Sequence, residues 1–344
     1  MGVLPQIKEL GKTWDLVLAT ALAFVAYFGL VDFLVGHLRI MPPHIGRLIA
    51  ENDFIQNRLA HEDHPFLTFL GSSVTVEGID CHLIDAELKS VCESFNLAWN
   101  GSSPRLWLLL APHLAAAKPK MVVLCVDAAP VAENSKILPV DLAVASWWKL
   151  IPQHDLLDLS KVLTVNELEQ LGQSDLMNLF VFRSLLPGAL DSTLREKARR
   201  DLRFNDYLVD FKAPWVQRTS VDSVSLQKHL RLISNRMADS NEAKWAARYD
   251  ALRYLTHFFS SKECKVALAI MPLNPRLDSL PRKQYLNRVR AEVADIARDR
   301  GIPIYDCSDL LGEADFSDAV HTTTSGRKKL SERLGMELHA ALVR

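Results

Sequence analysis

Residues 65–73 read Pro65-Phe66-Leu67-Thr68-Phe69-Leu70-Gly71-Ser72-Ser73, and this stretch decides the fold. A compact apolar run that ends abruptly in glycine and serine is typical of a buried strand followed by a tight turn. A helix is predicted over residues 79–92, and further strands over 95–99 and 121–126. Near-continuous apolar strands separated by helices predict a parallel sheet covered by helices on both faces.

The same alternation resumes near the C-terminus. The predicted elements there are a strand at 265–271, a helix at 282–300, a strand at 302–305 and a helix at 325–342, and a helix at 104–117 belongs to the first half. Between about 135 and 240 no convincing buried strand occurs, so this segment is predicted to be a mostly helical insertion, with helical patches at 176–186 and 191–203. This pattern fits either a solvated helical excursion or a cap that shapes a binding site or docks a partner.

An apolar segment occupies the N-terminus. Residues 16–31 are apolar apart from Thr20, and the run continues past Asp32 to Gly36. Roughly twenty such residues are enough to cross a membrane. We therefore predict a transmembrane signal anchor at 15–36, although a cleaved signal peptide and a buried core helix are alternatives. The predicted organisation is a cytoplasmic N-terminus at 1–14, this anchor, a linker at 37–64 and an α/β domain at 65–344.

The charges near the anchor give its orientation. Lys8 and Lys12 precede the span, which favours a cytoplasmic N-terminus, while Arg39 and Arg47 follow it and weaken the asymmetry. The main domain is then expected on the periplasmic or extracellular side of the cytoplasmic membrane. The whole chain has 40 basic and 41 acidic residues, so its charge does not indicate a nucleic-acid partner.

Cofactor and disulfide signals are weak. Five cysteines at 81, 92, 125, 264 and 307 are neither even in number nor spaced as metal ligands. His61-Glu62-Asp63-His64 precedes the first strand and lacks further ligands at recognisable spacing. Neither a phosphate-binding nor a dinucleotide-binding glycine motif occurs. We therefore expect no disulfide framework, no metal site and no organic cofactor.

Two distant motifs carry the candidate chemistry. Gly71-Ser72-Ser73 follows the first strand, while Asp318 and His321 follow the last one. A serine hydroxyl becomes a good nucleophile when an imidazole takes its proton, and a carboxylate holds that imidazole in the correct tautomer. Loops at the carboxyl ends of parallel strands lie at one end of the sheet, so these residues can meet. A tight turn with a helix cap is the alternative interpretation of Gly-Ser-Ser, and a structural histidine that of His321.

The loop after the second strand emerges at the same end of the sheet. It contains Asn100 and Gly101, and its small residues allow close approach of the backbone. A tetrahedral acyl intermediate needs hydrogen-bond donors at its negative oxygen. The backbone N–H groups of Ser73 and Gly101 are candidates for this oxyanion role, and the side-chain amide of Asn100 is a third.

These motifs together resemble those of the SGNH, or GDSL-like, hydrolases and acyltransferases. The similarity covers roughly residues 65–130 and 260–344. It implies a flavodoxin-like three-layer sandwich in which Ser73 is the nucleophile, His321 the base, Asp318 its partner and Gly101 an oxyanion donor; Ser72 is an alternative nucleophile. Ser72 stands where many members have aspartate, and the segment Val126-Asp127-Ala128-Ala129-Pro130 lacks the family's Gly-x-Asn-Asp element.

The anchor, the Gly-Ser-Ser turn and the missing asparagine are similar to membrane-anchored members of the family, such as the teichoic-acid D-alanylation protein and the alginate O-acetyltransferases. This resemblance implies an acyltransferase or esterase that adds or removes an acyl group, preferably acetyl, on a cell-envelope or exported polysaccharide. It also implies a membrane-bound O-acyltransferase as a partner. A noncatalytic scaffold that holds the polymer or that acyltransferase is the alternative.

Overall fold

The computed structural model describes residues 43–61, 63–129, 211–212, 223–238, 242–277 and 279–343, with isolated positions between 18 and 30 and between 162 and 169. Five strands form one sheet: β1 (Phe66–Leu70), β2 (Glu93–Asn96), β3 (Met121–Val126), β4 (Lys265–Ile270) and β5 (Ile304–Asp306). The helices in these ranges are α1 (Pro43–Asn57), α2 (Ser73–Gly78), α3 (Cys81–Leu88), α4 (Pro104–Trp107), α5 (Ala111–Ala116), α6 (Ser223–Ala238), α7 (Glu242–Ser261), α8 (Ser279–Arg298) and α9 (Thr324–Val343).

All neighbouring strands of the sheet run parallel, in the order β2-β1-β3-β4-β5. This is the flavodoxin-like order, in which strand addition reverses between β1 and β3. Every residue of β1 and β3 is buried, as expected for strands covered on both faces. The predicted α/β fold with a parallel sheet is therefore confirmed.

The helices form two packed groups. Helix α9 packs along α3 and α2, whereas α7 packs against α4, α5 and α8. Right-handed crossovers place the connections on opposite faces of the sheet when the order of strand addition reverses. The C-terminal helix thus lies next to the helix that follows β1, and this neighbourhood brings the two ends of the domain together.

One predicted helix is shorter in the structure, and another is divided in two. The helix expected at 79–92 is preceded by the separate helix α2, and α3 ends at Leu88, with Lys89 in the left-handed conformation. Asp80 is the N-cap of α3, because its side chain accepts a hydrogen bond from the His82 N–H, and the helix therefore begins at Cys81, two residues later than predicted. The helix expected at 104–117 is divided into α4 and α5, with Pro112 in the first turn of α5.

Helices α1 and α7 were not predicted. Within the predicted linker at 37–64, α1 buries Leu48 and Ile55 and packs against α5. Of the predicted insertion at 135–240, the structure describes α6 and a few isolated residues, and the helical patches at 176–186 and 191–203 lie outside the described residues. All five cysteines are buried, and none is paired with another.

The predicted anchor at 15–36 finds no support in the structure. Among the described residues, no helix has both the length and the apolar character needed to cross a bilayer. The positions described between 18 and 30 are helical, and Leu18, Leu22 and Val25 among them are exposed. The transmembrane helix remains a prediction from the sequence.

Candidate active site

The turn after β1 presents Ser73 at the carboxyl end of the sheet. Ser72 is the N-cap of α2, and its hydroxyl oxygen accepts a hydrogen bond from the Val74 N–H at 3.2 Å. Ser73 is therefore the first residue of the helix. Gly71 has to be glycine, because a Cβ at this position would lie 2.0 Å from Oγ1 of the buried Thr75. The result is a compact strand-to-helix turn that fixes the position of the Ser73 side chain.

Asp318 and His321 lie in the loop between β5 and α9. The Asp318 carboxylate holds this loop, because its Oδ1 accepts hydrogen bonds from the backbone N–H groups of Val320 at 2.9 Å and His321 at 2.8 Å. Asp318 Oδ2 lies 2.8 Å from Nδ1 of the His321 ring. The aspartate thus orients both the backbone and the ring of the histidine.

The three side chains form a continuous chain of hydrogen bonds. His321 Nε2 lies 3.0 Å from the Ser73 hydroxyl oxygen, across 248 residues of sequence. With Nδ1–H donating to Asp318, the lone pair on Nε2 is free to accept the Ser73 proton. This is the geometry in which an imidazole activates a hydroxyl nucleophile. The structure thus brings together Ser73, His321 and Asp318.

The electrostatics of Asp318 suit an orienting carboxylate. Burial by itself raises the pKa of Asp318. The hydrogen bond and positive charge of His321 outweigh this effect, together with the two backbone N–H groups, and hold the pKa well below its usual value. Asp318 is 3 % exposed. It therefore stays ionised over the whole physiological pH range and can orient the His321 ring as a charged acceptor.

Two sets of hydrogen bonds hold the Asp318–His321 loop against the rest of the domain. Thr322 Oγ1 and Arg327 Nε donate to the main-chain carbonyl of Glu77, at 3.3 and 2.7 Å. The side chain of the buried Asn274, in the loop after β4, donates to the main-chain carbonyl of Asp318 at 2.8 Å. The loop is thereby fixed to the same helix that carries Ser73.

The loop after β2 is attached to the nucleophile turn. The Trp99 N–H donates to the Gly71 carbonyl at 3.2 Å, and the Ser102 hydroxyl donates to the same oxygen at 2.5 Å. Asn100 and Gly101 lie exposed at the tip of this loop, where Gly101 has a φ of +75° that favours glycine. Asn100 and Gly101 therefore lie on a loop that is hydrogen-bonded to Gly71, two residues before Ser73.

Asp127 was not predicted as a site residue, although it lies beside the nucleophile turn. Its Oδ1 accepts a hydrogen bond from the Ser72 hydroxyl at 2.8 Å, and its main-chain carbonyl accepts one from Arg248 Nη2 at 2.9 Å. Burial raises the pKa of this carboxyl, and Arg248 and Ser72 oppose that rise. A charged residue directly after the all-buried strand β3 is the sequence signal that would have indicated it.

Comparisons with known proteins give little further information. No protein-family model and no curated protein matches this chain. One similar solved structure is a provisionally assigned acylhydrolase from Bacteroides fragilis, with 12% sequence identity and a TM-score of 0.41 over 86% of this chain and 98% of that chain. So weak a likeness carries no argument about activity, and the function has to be inferred from the geometry of the site.

Proposed function

We propose that this protein is a serine acyltransferase or esterase. The observation that carries the proposal is the chain of hydrogen bonds from Ser73 through His321 to Asp318. In the proposed reaction, the Ser73 oxygen attacks an acyl carbonyl while its proton moves to His321 Nε2. Asp318 stabilises the imidazolium that forms, and a sugar hydroxyl or water then takes the acyl group from Ser73.

The oxyanion donors of this proposal are the backbone N–H groups of Ser73 and Gly101, with the Asn100 amide as a third donor. The Ser73 N–H lies in the first turn of α2, where backbone N–H groups have no partner within the helix. Gly101 and Asn100 are on the loop whose Trp99 and Ser102 bind the Gly71 carbonyl. These contacts support a role for both loops around one acyl carbonyl.

The proposed acceptor is a cell-envelope or exported polysaccharide, and the proposed acyl group is acetyl. Both rest on the sequence resemblance to membrane-anchored SGNH proteins. In the same proposal, residues 15–36 anchor the chain in the cytoplasmic membrane, the α/β domain lies outside the cytoplasm, and a membrane-bound O-acyltransferase supplies the acyl group. The residues of the relay themselves allow either transfer or hydrolysis.

A noncatalytic scaffold is the second candidate function, and one observation favours it. The segment Val126-Asp127-Ala128-Ala129-Pro130 lacks the Gly-x-Asn-Asp element whose asparagine usually completes the oxyanion hole of family members. The Asp127 side chain in this segment accepts a hydrogen bond from Ser72. In this alternative the domain would bind a polymer or a membrane acyltransferase without turning over an acyl group.

A fluorophosphonate probe, which reacts covalently with activated serines, tests the catalytic proposal. We expect one labelled site, at Ser73, with labelling abolished in Ser73→Ala and strongly slowed in His321→Ala. Ser72→Ala should keep labelling, although loss of the N-cap costs about 1 kcal/mol of stability. Ser325→Ala, an exposed serine bound to Asp315, serves as a control and should label like the wild type. A folded wild-type protein that does not label would favour the scaffold.

Transfer and hydrolysis need a separate measurement. Turnover of a small acetyl donor is followed with and without added polysaccharide, and the acetylated product is identified by mass spectrometry. Acceptor-dependent turnover with acetylated sugar is the expected result. Release of acetate at the same rate with and without acceptor would mean that the protein is an esterase.

A further inference from the structure

Glu77 places a second carboxylate beside the candidate base. It is fully buried on α2, four residues after Ser73. Residues four positions apart share one face of a helix, and helical side chains lean toward its N-terminus, so Glu77 extends back toward Ser73. Its Oε1 lies 3.9 Å from His321 Nε2, the same nitrogen that is 3.0 Å from the Ser73 hydroxyl.

The charges around His321 come from several elements. Asp318, in the same loop, contacts Nδ1; Glu77, on α2, lies beside Nε2; and Asp127, at the end of β3, also interacts with the ring electrostatically. Two arginines interact with two of these carboxylates. Arg327 on α9 interacts electrostatically with Glu77, and Arg248 on α7 with Asp127.

We infer that Glu77 is a positioning residue that holds the Nε2 side of His321 whenever the ring is protonated. The catalytic meaning of this inference rests on the proposed function. When the Ser73 O–H bond breaks and an N–H bond forms at Nε2, the ring becomes a cation between two carboxylates, Asp318 at Nδ1 and Glu77 at Nε2. Glu77 itself takes no proton, and the proton leaves Nε2 for the departing oxygen of the acyl donor.

The same arrangement has a consequence for pH dependence. A carboxylate within about 4 Å of an imidazole favours its charged form, and Glu77 Oε1 lies 3.9 Å from His321 Nε2. Only the neutral ring can accept the Ser73 proton. Removing the charge of Glu77 should therefore extend Ser73 reactivity to lower pH, while it weakens the stabilisation of the imidazolium during the reaction.

The test follows His321 directly, without a substrate. The ring carbon–proton signals of His321 are titrated by NMR in the wild type, Glu77→Gln and Glu77→Asp, and the signal is assigned by its loss in His321→Gln. Glu51→Gln, a change in a buried glutamate of α1, is the matched control. We expect the titration midpoint to move down by about one pH unit in Glu77→Gln, less in Glu77→Asp, and not in the control.

Ser73 labelling by the phosphonate probe is then measured against pH. The acid side of the rate profile should move to lower pH in Glu77→Gln by the same amount as the NMR midpoint, whereas a purely structural role would lower the rate at every pH. Unchanged midpoints in a folded Glu77→Gln protein overturn the inference. Shifted midpoints without any labelling of the wild type overturn the proposed function and leave the Glu77–His321 interaction standing.

If Glu77→Gln does not fold, proton exchange at His321 in the wild-type protein still tests the role of Glu77. Below the titration midpoint, the Nε2 proton of His321 should exchange slowly with water in the wild type and in Ser73→Ala alike, because the buried Glu77 carboxylate lies 3.9 Å from Nε2 even when the Ser73 hydroxyl is removed. A rapidly exchanging Nε2 proton, together with a slowly exchanging Nδ1 proton, would refute the role of Glu77.

Discussion

Replacement of Asp318 by asparagine is the sharpest test of the relay. Asp318 accepts three hydrogen bonds, two from backbone N–H groups through Oδ1 and one from His321 Nδ1 through Oδ2. Asparagine has the same shape but offers only one oxygen. Its NH₂ group must therefore face either the two backbone N–H groups or the histidine ring.

The number of hydrogen bonds that the asparagine keeps decides which of the two orientations of its amide is more stable. Turning the NH₂ toward the backbone loses two hydrogen bonds and opposes donors to donors, whereas turning it toward the ring keeps both backbone bonds and lets the NH₂ donate to Nδ1 once the ring proton has moved to Nε2. Each net hydrogen bond contributes about 1 kcal/mol, and an unsatisfied buried donor costs about 1–3 kcal/mol, so the second orientation is favoured by roughly 2 kcal/mol or more. That difference is about a 30-fold preference.

The favoured orientation disables the base. An NH₂ donor opposite Nδ1 requires the lone pair on Nδ1, and the proton of the neutral ring then sits on Nε2, facing Ser73. His321 can no longer accept the Ser73 proton, and the carboxylate that stabilises the imidazolium is also gone. Together these losses should slow phosphonate labelling of Ser73 by about 10³- to 10⁴-fold.

The assay is the labelling rate at neutral pH, with thermal unfolding as a check of folding. Asp309→Asn is the matched control, because Asp309 belongs to the same connection after β5 but pairs with Arg282 and Arg290 at the surface. Exposed ion pairs contribute about 0–1 kcal/mol, so the control should label normally. Asp318→Asn labelling within a few-fold of the wild type would refute the assigned role of Asp318.

Three further predictions concern the loop that carries Asp318 and His321. The pKa of Asp318 is depressed in the folded protein, so the ionised carboxylate stabilises the fold. This contribution is complete above the ordinary carboxyl pKa of about 3.9 and is lost as the pH falls further. The unfolding temperature of the wild type should therefore drop more steeply with acid than that of Asp318→Asn. Asn274→Ala removes the hydrogen bond to the Asp318 carbonyl, so it should lower the free energy of unfolding in denaturant by about 1–3 kcal/mol and slow the labelling of Ser73. Asn287→Ala, at an exposed position, is the control and should do neither. Equal stability of the two variants would contradict the anchoring role of Asn274. Gly326→Ala would place a Cβ 2.3 Å from the Asp315 main-chain oxygen and should cost about 1–3 kcal/mol, whereas Gly312→Ala, with 3.8 Å of clearance, should be nearly neutral by the same measurement.

The regular parts of the fold were predictable because burial on both faces leaves a direct pattern in the sequence. The all-apolar run of β3 was predicted with the bounds that the structure has, and the C-terminal helix within a residue or so. The short strand β2 was placed about two residues too late. Helix α7 was missed, because its apolar residues are interspersed with charged ones such as Arg253, which pairs with Asp295 on α8.

The site residues divide in the same way. Ser73, Asp318 and His321 could be predicted because each belongs to a short motif in a loop that a parallel sheet directs to one end. Asp127, Asn274 and Glu77 could not, since their importance depends on contacts with residues far away in sequence. Asn274, for example, is one polar residue in a proline-containing loop until its side chain is seen to bind the Asp318 carbonyl.

The sequence by itself determined the parallel α/β class and the three residues of the candidate relay, because buried strands and loop motifs are local patterns. Tertiary structure alone decided that the relay closes. Helix α9 packs beside α2 and α3, and Arg327 and Thr322 bind the end of α2, so His321 comes within 3.0 Å of Ser73. A hydrogen bond depends on tenths of an ångström, and that precision comes from the packing of whole helices on the sheet.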